Sequence, residues 1–324
     1  MNNKEIYKKT LTFSLRRLAW DMASFLVIIV LSALGFVLAD KLTNNGLAGL
    51  AIGVIIGIII VAIASHFVAY LFKAGQIAMM TKGVSEGKLP DNIYEEGKRI
   101  VKERFLTVAA YYAVTSVIKG IFNQIGNAIT SVGRAVGGDN GGAVGGTISG
   151  VIQTVVGYLC DCCLGWVFYR KDEKTTKATM EGEVLFFKHG KTFAKNMGRV
   201  FGMSLVSFVV IGGIFFGIFY LITMAFPDAF EALRVALIDA FTSEGQAAPD
   251  FLANVQNVML ITAGIGGITM WCILHSVFVR PFILVGVLRN FIESGKNETI
   301  TEADFGELDK KSTKFKKLHA EVKA

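Results

Sequence analysis

Long apolar stretches alternate with short, lysine-rich polar segments along this 324-residue chain. A helix needs about 20 apolar residues to cross the hydrocarbon core of a bilayer. We interpret the apolar stretches that approach or exceed this length as transmembrane helices, and they are 22–39, 46–72, 105–125, 143–168, 201–226 and 258–280. The pattern therefore predicts an all-α, polytopic integral membrane protein of about six spans.

The connections predict that the spans pair as three hairpins. Asp40–Gly46 is a short polar turn between the first two spans, as in a tight helical hairpin. Gly133–Gly146 is a glycine-rich connector that leads into the fourth span. The sixth span ends at Arg280-Pro281, where a kink or a break is expected because proline lacks a backbone N–H.

Two segments outside the spans are amphipathic, and we expect both to lie on the membrane surface. Met1–Leu18 has an apolar helical face among its lysines and arginines, formed by Ile6, Leu11, Leu15 and Leu18. Pro227–Asn257 has a second such face, formed by Phe230, Leu233, Leu237 and Phe241. Residues 1–292 thus form a predicted membrane domain, and residues 293–324 form a charged cytoplasmic tail that we expect to be partly disordered.

Charge is distributed unevenly among the connections. Lys73–Arg104 and Tyr169–Arg199 are rich in lysine and arginine, whereas Pro227–Asn257 is acidic. Because basic connections stay inside the cell, both termini are predicted to be cytoplasmic in a multi-pass protein of the cell membrane. The net charge of +7 is spread over these connections, so nucleic acid is not an expected partner. The lipid bilayer is the expected partner, and a homo-oligomer or a membrane partner protein stays open.

Glycine is abundant, at 35 residues, and many glycines fall inside the apolar stretches. Gly53 and Gly57 form a GxxxG pair, and we expect the close helix contact that it permits to form inside the monomer. The cysteines lie in or near the spans, at Cys160, Cys162, Cys163 and Cys272, and no disulfide is predicted. Adjacent residues on one helix point too far apart to close a metal site alone, so no metal or other cofactor is expected.

Three titratable side chains, His66, Asp161 and His275, lie in the even-numbered spans at similar depth near the inner face. Ionisable groups at membrane depth are costly, so each is a functional candidate. If the helices meet, these residues and Arg280 form a substrate or proton site around the negative charge of Asp161. The alternative is that each histidine bonds a neighbouring backbone group and Asp161 pairs with a nearby lysine or arginine. The sequence contains no nucleophile-elbow or metalloprotease motif, so we do not expect an enzyme.

Two stretches of the C-terminal half carry a family resemblance. The order CC…W…K…A…GK-F-AKN in Cys162–Asn196 and the sequence SVFVRPFILVGVLRNF in Ser276–Phe291 resemble choline-transporter-like proteins. This resemblance implies movement of choline, ethanolamine or another small amphiphile. EGKLP (Glu86–Pro90) also looks like uncharacterised bacterial multi-span proteins. We predict a transporter of a small solute or lipid-related amphiphile, and the alternative is a non-transporting membrane scaffold or assembly factor that binds a partner protein.

Overall fold

The computed structural model describes residues 1–106, 109–121, 156–243, 245 and 247–323, and for residues 190–199 it describes the backbone alone. These residues are helical nearly throughout and contain no β-strand, which confirms the all-α prediction. The helices are α1 (Asn3–Thr43), α2 (Gly46–Glu86), α3 (Ile93–Arg104), α4 (109–121), α5 (Val156–Tyr169), α6 (Thr175–Ser207), α7 (Gly213–Ala225), α8 (Pro227–Ser243), α9 (Val255–Leu274), α10 (Arg280–Lys296), α11 (Glu302–Lys311) and α12 (Thr313–Lys323). Two π-helical turns, Phe208–Gly212 and His275–Val279, join α6 to α7 and α9 to α10.

Four helical segments of the described chain are long and apolar enough to cross a membrane, and they are Asn3–Thr43, Gly46–Glu86, Val200–Ala225 and Val255–Lys296. In the most apolar window of each, only 6% to 39% of the residues are buried by other parts of the protein. Such long apolar surfaces are unfavourable in water and favourable in lipid. The chain therefore carries helices suited to a membrane protein.

The chain forms two compact units. We call the first the body, and it comprises Met1–Arg17, Ser65–Phe201 and Pro281–Ala324. We call the second the hairpin unit, and it comprises Leu18–Ala64 and Gly202–Arg280. The body thus joins both ends of the chain to its central part.

In the hairpin unit, α1 and α2 pack through glycines. A Cβ atom at Gly53 would overlap the carbonyl oxygen of Leu31, and one at Gly57 would lie 3.0 Å from the Cα of Ile28. The expected packing of this GxxxG pair inside the monomer is therefore confirmed. Asn44 takes a left-handed backbone conformation, with φ of 52°, in the short turn that joins the two helices.

The first helix differs from its prediction. Because α1 is continuous from Asn3 to Thr43, the expected surface helix Met1–Leu18 and the first span are one element. Ile6 and Phe13 are buried in the body. A Cβ atom at Gly75 or at Gly97 would lie 2.5 or 2.6 Å from the ring of Phe13, so this ring occupies the space that two glycines leave. An apolar helix face does not reveal whether lipid or protein covers it; here protein covers Ile6 and Phe13, whereas Leu15 of the predicted face is 56% exposed.

The body has its own buried helix. From Val156, the first described residue of this part of the chain, to Tyr169, α5 is buried on nearly every side by protein. A helix that is apolar all round fits a protein core as well as a bilayer. The predicted spans 105–125 and 143–168 and the connector Gly133–Gly146 lie wholly or partly outside the described residues, so the six-span arrangement stays a prediction.

The charged C-terminal tail is folded rather than disordered. Thr301 and Asp304 form a capping box at the start of α11, and α12 follows directly. Apolar side chains of both helices join a core cluster with α4 and α6, made of Ile121, Met180, Val184, Phe305, Leu308, Phe315 and Leu318. Helical spacing of these few apolar residues among many charges is enough to fix the tail to the body.

Candidate functional site

The first predicted site residue, His66, lies in the body and packs on an aromatic ring. Its imidazole stacks on Tyr112 with ring centroids 3.7 Å apart. The hydroxyl of Tyr112 donates a hydrogen bond to the His66 carbonyl oxygen at 3.0 Å. These two contacts join α2 to α4.

Asp161 also lies in the body, on the buried helix α5. Its side chain is only 2% exposed, and its Oδ1 lies 2.6 Å from the Nζ of Lys73, whose side chain is 38% exposed. The lysine extends from α2, so the ion pair joins α2 to α5. This contact places Asp161 in the pairing that the alternative interpretation expected.

Because one partner of this ion pair is buried and the other is partly exposed, substitution of the two residues should lower stability by different amounts. Lys73→Met removes this cation from the buried Asp161 carboxylate, and we expect it to destabilise the protein by about 2–3 kcal/mol. Asp161→Asn leaves a half-exposed lysine that reaches water, and we expect a loss of about 1–2 kcal/mol. Denaturation of both purified variants in mixed micelles gives the comparison. A larger loss for Asp161→Asn than for Lys73→Met would contradict the assignment.

His275 and Arg280 belong to the hairpin unit, at the two ends of a π-helical turn. The Nε2 of His275 lies 3.1 Å from the Oγ of Ser204, and the indole N–H of Trp271 donates to Ser207 Oγ at 3.2 Å. The four predicted residues are thus divided between the two units, and their convergence on one site stays a prediction.

The helix continues through Arg280-Pro281, where a kink or a break was expected. Proline removes one N–H from the helix, and its ring crowds the carbonyl four residues earlier. That carbonyl belongs to Val277, inside the π-helical turn His275–Val279, where the wider hydrogen-bonding pattern leaves room for the ring. The irregularity expected from the proline is therefore a local change of helix type.

A cavity with a volume of about 430 Å³ lies in the body. Its walls come from the end of α2, from α3 and from the end of α5 with the turn that follows. Ala78, Ile100 and Phe168 give it an apolar lining. The remaining lining is mostly charged or hydroxyl-bearing, and the volume suits a small organic ligand.

A chain of ion pairs follows the cavity wall. Glu86 lies 3.1 Å from Lys171 and 4.0 Å from Lys82, and Lys82 lies 2.8 Å from Glu96. Arg99 continues the chain through a 2.9 Å contact with Glu96. Hydrogen bonds from Arg99 and Lys82 lower the pKa of Glu96 to about 2, so this carboxylate is ionised at every physiological pH.

Arg104 holds the cavity wall to the turn after α5. Its guanidinium donates to the carbonyl oxygens of Arg170, Lys171 and Glu173 at 3.0, 3.4 and 2.7 Å. Its Nε–H is buried and has no hydrogen-bond partner in the described part of the chain. Burial lowers the pKa of Arg104 from its ordinary value, because the charged form has lost solvation.

Glu183 is a buried ionisable group that the sequence does not point to. It lies on α6, is fully buried, and neither carboxyl oxygen has a hydrogen-bond partner among the described residues. Burial raises the pKa of Glu183 well above its usual range. The neighbouring Glu181, in contrast, accepts hydrogen bonds from Arg170 and Trp166.

A sequence signal existed for the cavity but not for Glu183. Glu96, Arg99 and Glu103 stand three and four residues apart, the spacing at which helical side chains pair. The lysine and arginine content of this segment predicts membrane topology and does not by itself indicate a cavity. Glu183, in contrast, lies in a charged stretch, and only the folded chain shows that this carboxyl is enclosed.

The cavity combines charged side chains with an apolar wall. In the described ranges, no group of three or more histidine, cysteine, aspartate or glutamate side chains is placed to hold a metal ion. The cavity instead offers fixed charges beside an apolar wall, which is the composition of a small-molecule binding site. No protein-family model, curated protein or solved structure matches this chain, so the choline-transporter-like resemblance stays a prediction.

Proposed function

We propose that the protein is a membrane-anchored, non-transporting scaffold whose body binds a partner on the cytoplasmic side. The observation that supports this proposal is the location of the charged side chains. The described cavity, its ion-pair chain and the Lys73–Asp161 pair all belong to the body. A scaffold needs such a folded binding surface and only needs its spans to hold it at the membrane.

Hydroxyl groups in the apolar helices support this function. Ser32, Thr262 and Thr269 each donate a hydrogen bond to the backbone carbonyl four residues earlier in their own helix. A hydroxyl that donates to its own helix has no donor left for a solute. These three hydroxyl groups are therefore accommodated within apolar helices, whereas a transport path needs polar groups that a solute can reach.

The proposed topology has four spans, with α4 and α5 assigned to the body. The burial of Val156–Tyr169 by protein on nearly every side supports this assignment. Four is an even number, so both termini still lie on one side, and the basic connections still make that side the cytoplasm.

Thiol labelling and flux measurements test this proposal together. Ser85 is exposed and lines the cavity, so Ser85→Cys in a Cys272→Ser background is expected to react with a membrane-impermeant maleimide from the cytoplasmic side only. Proteoliposomes that contain the wild-type protein are expected to move choline, ethanolamine and protons no faster than empty vesicles. Labelling from the outer side, or substrate-dependent flux, would overturn the proposal.

A photoreactive residue gives the partner measurement. Placed at Ser85, it is expected to give one stoichiometric adduct in cells, and the adduct should disappear when Glu86→Lys and Glu103→Lys reverse two cavity charges. Placed at Lys98, on the same helix as Glu103 but outside the cavity lining, it is expected to give no such adduct. An adduct that survives the charge reversals would contradict binding of the partner at the cavity rim, where Ser85, Glu86 and Glu103 are exposed.

A transporter is the second candidate, and one observation favours it. His275 contacts Ser204, and π-helical turns occur in both helices of this pair, at Phe208–Gly212 and His275–Val279. Such turns are frequent at functional sites in membrane and soluble helices. If the protein transports, flux in proteoliposomes should fall at least about tenfold in His275→Ala, the loss expected when a group that binds the solute is removed.

A further inference from the structure

The body cavity carries an excess of positive charge. Four cationic side chains line it, Lys82, Arg99, Arg104 and Lys171, against the three carboxylates Glu86, Glu96 and Glu103. Glu86 and Glu96 each contact two of these cations, and Glu103 contacts one. Lys82, Arg99 and Lys171 are therefore each paired with a carboxylate. The remaining charge is that of Arg104.

Arg104 is placed as an anion receptor. Its contacts are with neutral carbonyl oxygens, so they fix the guanidinium without neutralising it. The nearby carboxylate of Glu173 is shared by Arg170 and Lys177, at 3.2 and 3.0 Å. A guanidinium that is fixed and partly desolvated attracts an oxyanion more strongly than a solvated one does, so the charge of Arg104 rather than its enclosed Nε–H carries the interaction.

The cavity also limits the charge and shape of its ligand. Three carboxylates in the wall repel a polyanion, so a ligand with one negative charge fits best. Ala78, Ile100 and Phe168 offer an apolar surface beside the charged groups. We propose that this cavity binds an amphiphilic monoanion, a carboxylate or phosphodiester attached to an apolar group, with its charge against Arg104.

Two sources supply this chemistry, a free amphiphile in solution and the headgroup region of an anionic lipid. Octanoate, titrated into the full-length protein in phosphatidylcholine nanodiscs, represents the first source. Nanodiscs that contain phosphatidylglycerol represent the second, and bound lipid should then weaken the apparent affinity for octanoate. Calorimetry gives the dissociation constant in each case. Unchanged octanoate affinity in phosphatidylglycerol nanodiscs would assign the cavity to the free amphiphile.

Matched probes and variants make the test specific. Octylammonium has the same chain and the opposite charge, and inorganic phosphate has charge without a chain, so both should bind at least about tenfold more weakly than octanoate. Arg104→Gln should weaken octanoate binding about 10- to 100-fold, the loss expected when the opposite charge that faces a bound ion is removed. Lys98→Gln, on the same helix but outside the cavity lining, should stay within about twofold of the wild-type protein.

Lys171→Gln keeps the test decisive if Arg104→Gln does not fold. The Lys171 side chain is 71% exposed at the cavity rim, so its removal should leave the fold intact and weaken octanoate binding about threefold. Octanoate binding that neither variant changes, or octylammonium binding as tight as octanoate binding, would overturn the inference. The inference rests on one part of the proposed function, namely that the body lies in the aqueous cytoplasm. Cytoplasmic labelling of Ser85→Cys without octanoate binding would overturn the anion site alone, whereas absence of that labelling would overturn the proposed function.

Discussion

Gly49→Ala is expected to destabilise the protein by about 2 kcal/mol or more, although alanine is the better helix former by about 0.8–1.0 kcal/mol. The added methyl group would overlap the carbonyl oxygen of Gly35 on the facing helix and the Cβ of Ala39. A Cβ atom at Gly35 would in turn overlap the carbonyl oxygen of Gly49. Because the obstacle on both sides is backbone, no side-chain rotation relieves the clash, and the two helices must separate.

A second glycine provides the matched control. Gly217 lies in α7, and a Cβ atom there would meet no heavy atom within 4 Å. Gly217→Ala should therefore leave stability unchanged or raise it by up to about 1 kcal/mol through helix propensity. The measurement is the midpoint of unfolding by sodium dodecyl sulfate in mixed micelles, with circular dichroism as the signal. Equal midpoints for Gly49→Ala and Gly217→Ala would show that α1 and α2 do not approach as closely as described.

Glu183→Gln is expected to make the protein more stable at neutral and alkaline pH. A carboxyl whose pKa is higher in the folded than in the unfolded chain binds more protons when folded. Stability is then greatest at low pH and falls as pH rises above the unfolded value of about 4.3. The fall is about 1.4 kcal/mol per pH unit and continues until the folded pKa is reached. Because burial raises the pKa of Glu183, the wild-type protein should show this fall.

Glutamine cannot ionise, so its variant should lack this part of the pH dependence. The wild-type protein and Glu183→Gln should have similar free energies of unfolding at about pH 4. The two free energies should diverge as the pH rises toward about 8. Chemical denaturation at several pH values measures the difference. Parallel stability curves for the wild-type protein and Glu183→Gln would show that Glu183 is not enclosed as described.

Glu181 offers a control on the same helix. It accepts a 2.9 Å hydrogen bond from the Nε of Arg170, so Glu181→Gln removes an ion pair rather than an isolated acid. This substitution should lower stability at neutral pH and keep the fall with pH that Glu183 causes. The opposite effects of two neighbouring glutamates follow from their partners, since one carboxyl faces a cation and the other faces none among the described residues.

The candidate site was visible only in part from the sequence. His66, Asp161 and His275 were chosen because ionisable residues in apolar stretches are rare. That signal found Asp161 and its need for a partner, but it did not identify Lys73. The cavity charges do not stand out in the sequence, because membrane topology already explains lysines and arginines near spans. Which carboxylate neutralises which cation depends on side chains from α2, α3 and the turn after α5, and the sequence does not order these in space.

By itself, the sequence determined the all-helical class, the long apolar helices and the glycine contact of Gly53 and Gly57, because each depends on local composition and helical spacing. The tertiary structure decided what covers each apolar face. It placed Met1–Arg17, α5 and the C-terminal helices in the body. Lipid and a protein interior are equally apolar, so a sequence pattern that satisfies one satisfies the other. Only the packing of distant segments shows which of the two a helix meets.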